Sequence, residues 1–219
     1  MQKITQMTHT ELKGIYHELA FWQQFVKTDR FLSGWVKKIQ TPELHQEVAD
    51  FIKSVSHETV LDVGSGVVSI LNGLVNVRAV DPLGDLYRLI FDYDRHKVFP
   101  PMAFPAEELP FKNEYDIVHI SNAIDHTQDP YKAYNALFKA VKPGGYLIIQ
   151  GFENEATHEN WQGFHQNDIF VEEIWDDRKD YLLRLKKGDG LIETISEDPY
   201  KVIQKEIGGK VWYIWIVKK

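Results

Sequence analysis

Asp62, Gly64, Ser65 and Gly66 stand at the end of a short apolar run in "VLDVGSGVVSIL", and their types bear on ligand binding. Glycines let a backbone approach a ligand closely, and strand ends of a parallel sheet are where ligands bind. A second acid, Asp81, closes the next apolar run in "VRAVDPLGDLY". A carboxylate there can accept both hydroxyls of a ribose. The dinucleotide fingerprint G-x-G-x-x-G needs glycine, or at least alanine, where this chain has Ser69. A nicotinamide-dependent oxidoreductase is therefore a lesser reading, one that fluorescence enhancement of reduced nicotinamide would test.

Further along, His126 has a side chain whose ordinary pKa suits general-base work, while Asp125 beside it reads as a helix cap. "GFENEATHENWQGFHQND" concentrates polar and aromatic residues. Glu155, His165 and Gln166 offer partners for hydroxyls, Trp161 or Phe164 an apolar wall, and His158 is expected to face solvent. A metal centre is not expected. His119, His126, His158 and His165 match no H-x-x-x-H arrangement, and His119 falls inside a strand expected to be buried.

These residues need elements to position them. Leu12, Ile15, Leu19, Trp22 and Val26 recur at the spacing of one helix face, with Thr8 and Glu11 as a capping box. Thr41 as N-cap and Pro42 at the first position start a second helix that turns Leu44, Val48, Phe51 and Ile52 inward. Short apolar runs then alternate with helical patterns: Val60 to Val63, Val77 to Val80, Ile117 to Ile120 and Tyr146 to Gln150, with helices near Asp85 to Arg95 and Pro130 to Val141. That alternation predicts a parallel sheet covered on both faces. "KPGG" at Lys142 to Gly145 reads as a helix exit and turn. Beyond Gly151, β-like segments occur at Tyr181 to Leu185 and Leu191 to Ile195. The Gly208-Gly209 pair predicts a hairpin joining Tyr200 to Ile207 with "VWYIWIVKK", closing one sheet edge. The tryptophans of that last strand read as core or sheet-face residues, with self-association through it as an alternative.

With 219 residues, 43% of them hydrophobic and 26% charged, the chain has the makeup of one globular domain. A net charge of -7 with scattered basic residues argues against nucleic acid as a partner. The absence of cysteine removes disulfides, thiolate nucleophiles and Cys-ligated zinc. No stretch nears the roughly 20 apolar residues of a membrane span, and "MQKITQMTHTELKG" lacks a signal-peptide core, so a cytoplasmic protein without membrane contact is expected.

Residues 60–150 taken together resemble the class I S-adenosylmethionine-dependent methyltransferases. "LDVGSG" is similar to their first motif, "AVDP" to the ribose-binding acid, "AEELPF" to the adenine-side loop, "EYDIVHISNAIDHTQDP" to the fourth strand and its loop, and "VKPGGYLII" to the fifth strand. "VDPLGDLY", "NAIDHTQDP", "ENEA", "GFHQND" and "ELAFWQQFV" are similar to a bacterial branch associated with small-molecule and glycan biosynthesis. The resemblance implies an α/β, Rossmann-like fold: a mostly parallel seven-stranded sheet, an antiparallel C-terminal hairpin and helices on both faces. It implies one methyltransferase domain over 1–219, with N-terminal helices in 1–56, a cofactor-binding core in 57–151, and a substrate-pocket insertion with closing strands in 152–219.

Position by position, the resemblance assigns S-adenosylmethionine as cofactor. Gly64, Ser65 and Gly66 line its methionine end, with Asp62 beneath for the ammonium. Asp81 takes the ribose hydroxyls, Pro82 and Leu83 cover adenine, the Ala106 and Glu107 backbone meets its edge, and Asn122 and Ala123 flank the sulfonium. His126, Glu155 and His165 become the catalytic candidates, and Trp161, Phe164 and Gln166 the acceptor contacts. The expected acceptor is a small molecule or saccharide, methylated at oxygen. Two residues depart from the family pattern: Val68 replaces the third glycine, and Pro105 an acid before the Ala-Glu pair. They motivate the alternative of a catalytically degenerate binding module. Oligomeric state is left open.

Overall fold

A computed structural model of the chain describes residues 9–27, 42–175 and 179–219. The proposed caps at Thr8 and Thr41, the Glu11 side chain and the inward placement of Leu44 lie outside what is described.

Helix α1 (His9–Val26) and helix α2 (Pro42–Ser54) precede the sheet strands β1 (Val60–Val63), β2 (Val77–Val80), β3 (Tyr115–Ser121) and β4 (Val141–Phe152). Strand β1 is buried at every residue, as expected for a strand covered on both faces. It pairs in parallel with β2 and β3, and β3 in parallel with β4. The C-terminal hairpin of β8 (Lys201–Ile207) and β9 (Lys210–Lys218) completes the order β2-β1-β3-β4-β9-β8. Gly208 and Gly209 take φ of 60° and 80°, the left-handed pair that a tight hairpin turn requires.

The six strands of this sheet fall one short of the expected seven. Next to β2, where a further strand would lie, the chain makes a parallel bridge between Val80 and Met102. The tryptophan-rich strand is also not the edge: β9 pairs with β4 on one side and β8 on the other, which removes the basis for self-association through it. "KPGG" lies inside β4, where the register to β3 jumps from Tyr115↔Val141 to Ile117↔Tyr146.

Side chains of alternating direction divide the core. Trp212, Ile214 and Ile216 join one cluster with Trp22, Val48, Phe51 and Ile52 of α1 and α2. Tyr213, Trp215 and Val217 join the other, with Ala133, Leu137 and Ala140 of α3 (Pro130–Ala140). Leu12, expected on the inward face of α1, is 53% exposed, whereas Trp22 is buried. The second face is shared by a separate antiparallel sheet of β5 (Asn167–Trp175), β6 (Lys179–Lys187) and β7 (Ile192–Ser196). Its Ile169, Leu183, Leu185 and Ile195 are buried against the main sheet's core. The helical pattern near Asp85 to Arg95 resolves into two single turns, Gly84–Tyr87 and Tyr93–His96. No helix among the described residues is long and apolar enough to cross a membrane.

Candidate functional site

A cavity of about 730 Å³ opens beyond the C-terminal ends of β1 to β4. At one end lies the glycine turn. Gly64 and Gly66 have φ of 65° and 64°, a region that side chains rarely adopt. A Cβ on Gly64 would lie 2.5 Å from the Ala123 Cβ, and one on Gly66 would lie 2.1 Å from the Trp22 indole. The turn is tied to the next strand by Ser65 N–H donating to the Val80 carbonyl at 3.2 Å.

Asp81 accepts from the backbone N–H of Gly66 and of Leu83, each at 2.9 Å. Burial pushes its pKa up to about 7; the Leu83 N–H opposes the rise, the Glu18 charge adds to it, and the Gly66 N–H and Tyr87 hydroxyl oppose it. Pro82, Leu83, Ala106 and Glu107 line the cavity beside Asp81, and Pro105 lines it too. The Glu107 carboxylate is turned to the backbone N–H of Gln128, which it accepts at 2.8 Å.

Asp62 is held from two sides. One carboxylate oxygen accepts from the Ser69 hydroxyl at 2.6 Å, and the other meets His119 Nδ1 at 2.6 Å. His119, fully buried, contacts the Gln150 amide nitrogen through Nε2 at 2.8 Å. With Nδ1 as the donor to Asp62, Nε2 is left to accept from Gln150. Ser69, which fails the dinucleotide pattern, thus helps fix the acid under the turn. Residues 64–76 contain no helix, and Val68 points into the core with Phe51 and Ile52. A third glycine serves close helix–strand packing, and no helix follows this turn.

The other end of the cavity is built from two loops. Asn122, at φ 48°, turns the chain out of β3, and Ala123 follows it into a short 3-10 turn, Ile124–His126. Asn167 at the start of β5 donates to the carbonyls of Asp125 and Thr127 at 3.1 and 2.8 Å. These bonds fix the loop against the second sheet. They bring His165 to Asp125, Nδ1 to Oδ2, at 2.7 Å, and to His126 Nε2 at 3.1 Å. Burial opposes charge on His165, but the hydrogen bond and charge of Asp125 carry its pKa above the ordinary value. Burial likewise opposes ionisation of Asp125, and the charge of His126 with the His165 contact holds its pKa below the ordinary value. Glu155, raised by burial, lines the same cavity, as do Phe164 and Gln166.

The structure therefore gathers His126, Glu155, His165, Phe164, Gln166 and the proposed cofactor contacts around one cavity. Trp161 does not line it; it is 40% exposed and lies near Gly188. His126 and His165, which match no H-x-x-x-H arrangement, are in contact all the same, because sequence spacing does not report contacts between separate loops. Asp125 is likewise no simple helix cap. Sequence reasoning missed the contribution of α1: His17, Glu18, Phe21 and Trp22 line the cavity, and Trp22 donates its indole N–H to Glu18 at 2.7 Å. The i,i+4 spacing of Glu18 and Trp22 was the available signal.

Comparison with known proteins finds methyltransferases among both sequence relatives and solved structures. A family model described as a methyltransferase domain matches residues 36–203. A demethylmenaquinone methyltransferase of Streptomyces griseus is 29% identical over 150 residues, which are 67% of this chain and 65% of that protein. A ubiquinone biosynthesis O-methyltransferase of Hydrogenovibrio crunogenus is 31% identical over 111 residues, 46% of each chain. The chain thus spans about two thirds or less of these curated relatives. The N-methyltransferase NodS of Bradyrhizobium japonicum, crystallised with S-adenosylhomocysteine, shares the fold with a TM-score of 0.56 at 11% identity, covering 92% of this chain and 98% of that one.

Proposed function

Since this chain belongs to the methyltransferase domain family, whose model matches residues 36–203, we propose that it transfers a methyl group from S-adenosylmethionine to an oxygen of a small hydroxylated acceptor. The observation that carries this reading is the single cavity joining the glycine turn and Asp81 to the His126–His165 pair. The residues fit the cofactor: the Gly64–Gly66 turn lines the cavity with its backbone, a buried acid stands at Asp81, and the cavity has a ligand's volume. The names of the two quinone-pathway relatives favour a hydroxylated ring over the saccharide that the sequence resemblance implied.

When bound, the cofactor supplies a methyl group already activated by the positive sulfur. The chain must align the acceptor and exclude water. Asp81 accepts the ribose hydroxyls, and Asp62, held by Ser69 and His119, fixes the turn that receives the methionine end. Asn122 and Ala123 shape the wall between the two halves. Asp125, His126 and His165 stand at the acceptor end and favour loss of its hydroxyl proton. Phe164 and α1 close the cavity over them. Gly14 of α1 lies directly against the Phe164 ring, which joins the two covers.

Calorimetric titration with S-adenosylmethionine and S-adenosylhomocysteine tests the cofactor. Micromolar binding that is lost in Asp81→Ala is expected, followed by turnover in a screen of hydroxylated aromatic and sugar acceptors. Folded, cofactor-free protein that gives no heat with either ligand would instead make the chain a degenerate binding module.

A further inference from the structure

Asp125 Oδ2, His126 Nε2 and His165 Nδ1 form a triangle with sides of 2.7, 3.1 and 3.4 Å. Protons satisfy it poorly. An imidazole nitrogen carries either a hydrogen or a lone pair. If His165 Nδ1 donates to Asp125, His126 Nε2 can only share that one hydrogen, with its own lone pair facing the carboxylate across 3.4 Å; if His126 Nε2 also donates to Asp125, two N–H groups face each other. If His165 Nδ1 accepts from His126, it meets the carboxylate lone pair to lone pair. A cation at the centre satisfies all three at once, because ligands at about 2.0–2.2 Å in a tetrahedral shell lie about 3.4 Å apart.

A second observation points to the same place. Glu155 is only 6% exposed, lines this cavity, and its Oε2 has no hydrogen-bond partner among the described residues. Its other oxygen is 3.5 Å from Lys210 Nζ. The surroundings are also fixed as a ligand shell needs: Asn167 holds the Asp125 and Thr127 carbonyls, and the Gln166 N–H donates to the Asp125 carbonyl at 3.3 Å.

We propose that Asp125, His126 and His165, in a cavity that Glu155 also lines, form a binding site for a divalent cation at its acceptor end. Two imidazole nitrogens with carboxylate oxygen select the borderline metals, zinc, manganese, iron(II) or cobalt, over magnesium or calcium. Three protein ligands leave positions open toward the cavity, where an acceptor's oxygen can bind. Cation binding stands without the methyltransferase reading; its role in acceptor activation rests on that reading.

The test uses tag-free full-length protein, stripped with chelator and titrated with Co²⁺ followed by optical absorption, and with Zn²⁺ followed by elemental analysis. About one equivalent is expected, with cobalt bands of a nitrogen–oxygen shell. His126→Ala and His165→Ala should each weaken binding at least about tenfold, whereas His158→Ala, on the exposed surface, should not. S-adenosylhomocysteine binding and circular dichroism are measured on the same samples. Folded protein that binds S-adenosylhomocysteine but takes up no cation, or takes it up equally in the two histidine variants, overturns the site and leaves the methyltransferase reading standing. Stoichiometric cation binding without S-adenosylhomocysteine binding supports the site and removes its assigned role.

Discussion

Asp81 is a buried acid whose pKa lies at about 7, so near neutrality it changes charge where a bound ribose would meet it. An ionised carboxylate is the stronger acceptor. Affinity for S-adenosylhomocysteine should therefore rise about tenfold per pH unit below neutrality and level off above it. Calorimetry across that range checks this, and Asp81→Asn should give a weak, flat profile. The same shift acts on folding with the opposite sign. The unfolded chain loses this proton near 3.8, the folded chain near 7, so between those values the native state binds more protons and Asp81's contribution to stability falls as pH rises. The residue costs stability in order to hold an acceptor inside the fold.

Helix α1 is the element that sets this balance. It lays Trp22 over Gly66 and places Glu18 near enough to Asp81 that the two negative charges repel. Glu18→Gln removes that repulsion and keeps an oxygen for the Trp22 indole N–H. The midpoint of the affinity profile should then move below its wild-type value with little change in the plateau. An unmoved midpoint would mean that burial alone sets the shift. The helix was visible in the apolar spacing of Ile15, Leu19 and Trp22, but its place over the glycine turn was not, since a helical period reports a buried face and not what covers it.

At the scale of the molecule, the main sheet holds the proposed cofactor half of the cavity and the small sheet β5-β6-β7 holds the proposed acceptor half through Asn167. Replacing Asn167 by Leu leaves the Asp125 and Thr127 carbonyls without this donor, which should cost about 1–3 kcal/mol of stability. Steady-state kinetics should show kcat reduced with S-adenosylmethionine affinity retained; a loss of cofactor affinity instead would show that the two halves are not separate. The alternating strands, the terminal hairpin and the pairing of Gly64 and Gly66 with Asp81 were legible from residue order, because each depends on neighbours close in sequence. Asp62, Ser69 and His119 were individually visible, yet their network required β1 and β3 to be adjacent. Val68, a departure from the family pattern in the sequence, lies in the core with no helix after the turn. The sequence by itself determined an α/β sheet with a glycine turn and acids at its strand ends, since local period and backbone freedom encode these. The tertiary structure alone decided that Asp125, His126 and His165 converge, that Trp161 stays outside, and that α1 covers the site, because contacts between distant segments follow from packing and leave no periodic trace in the chain.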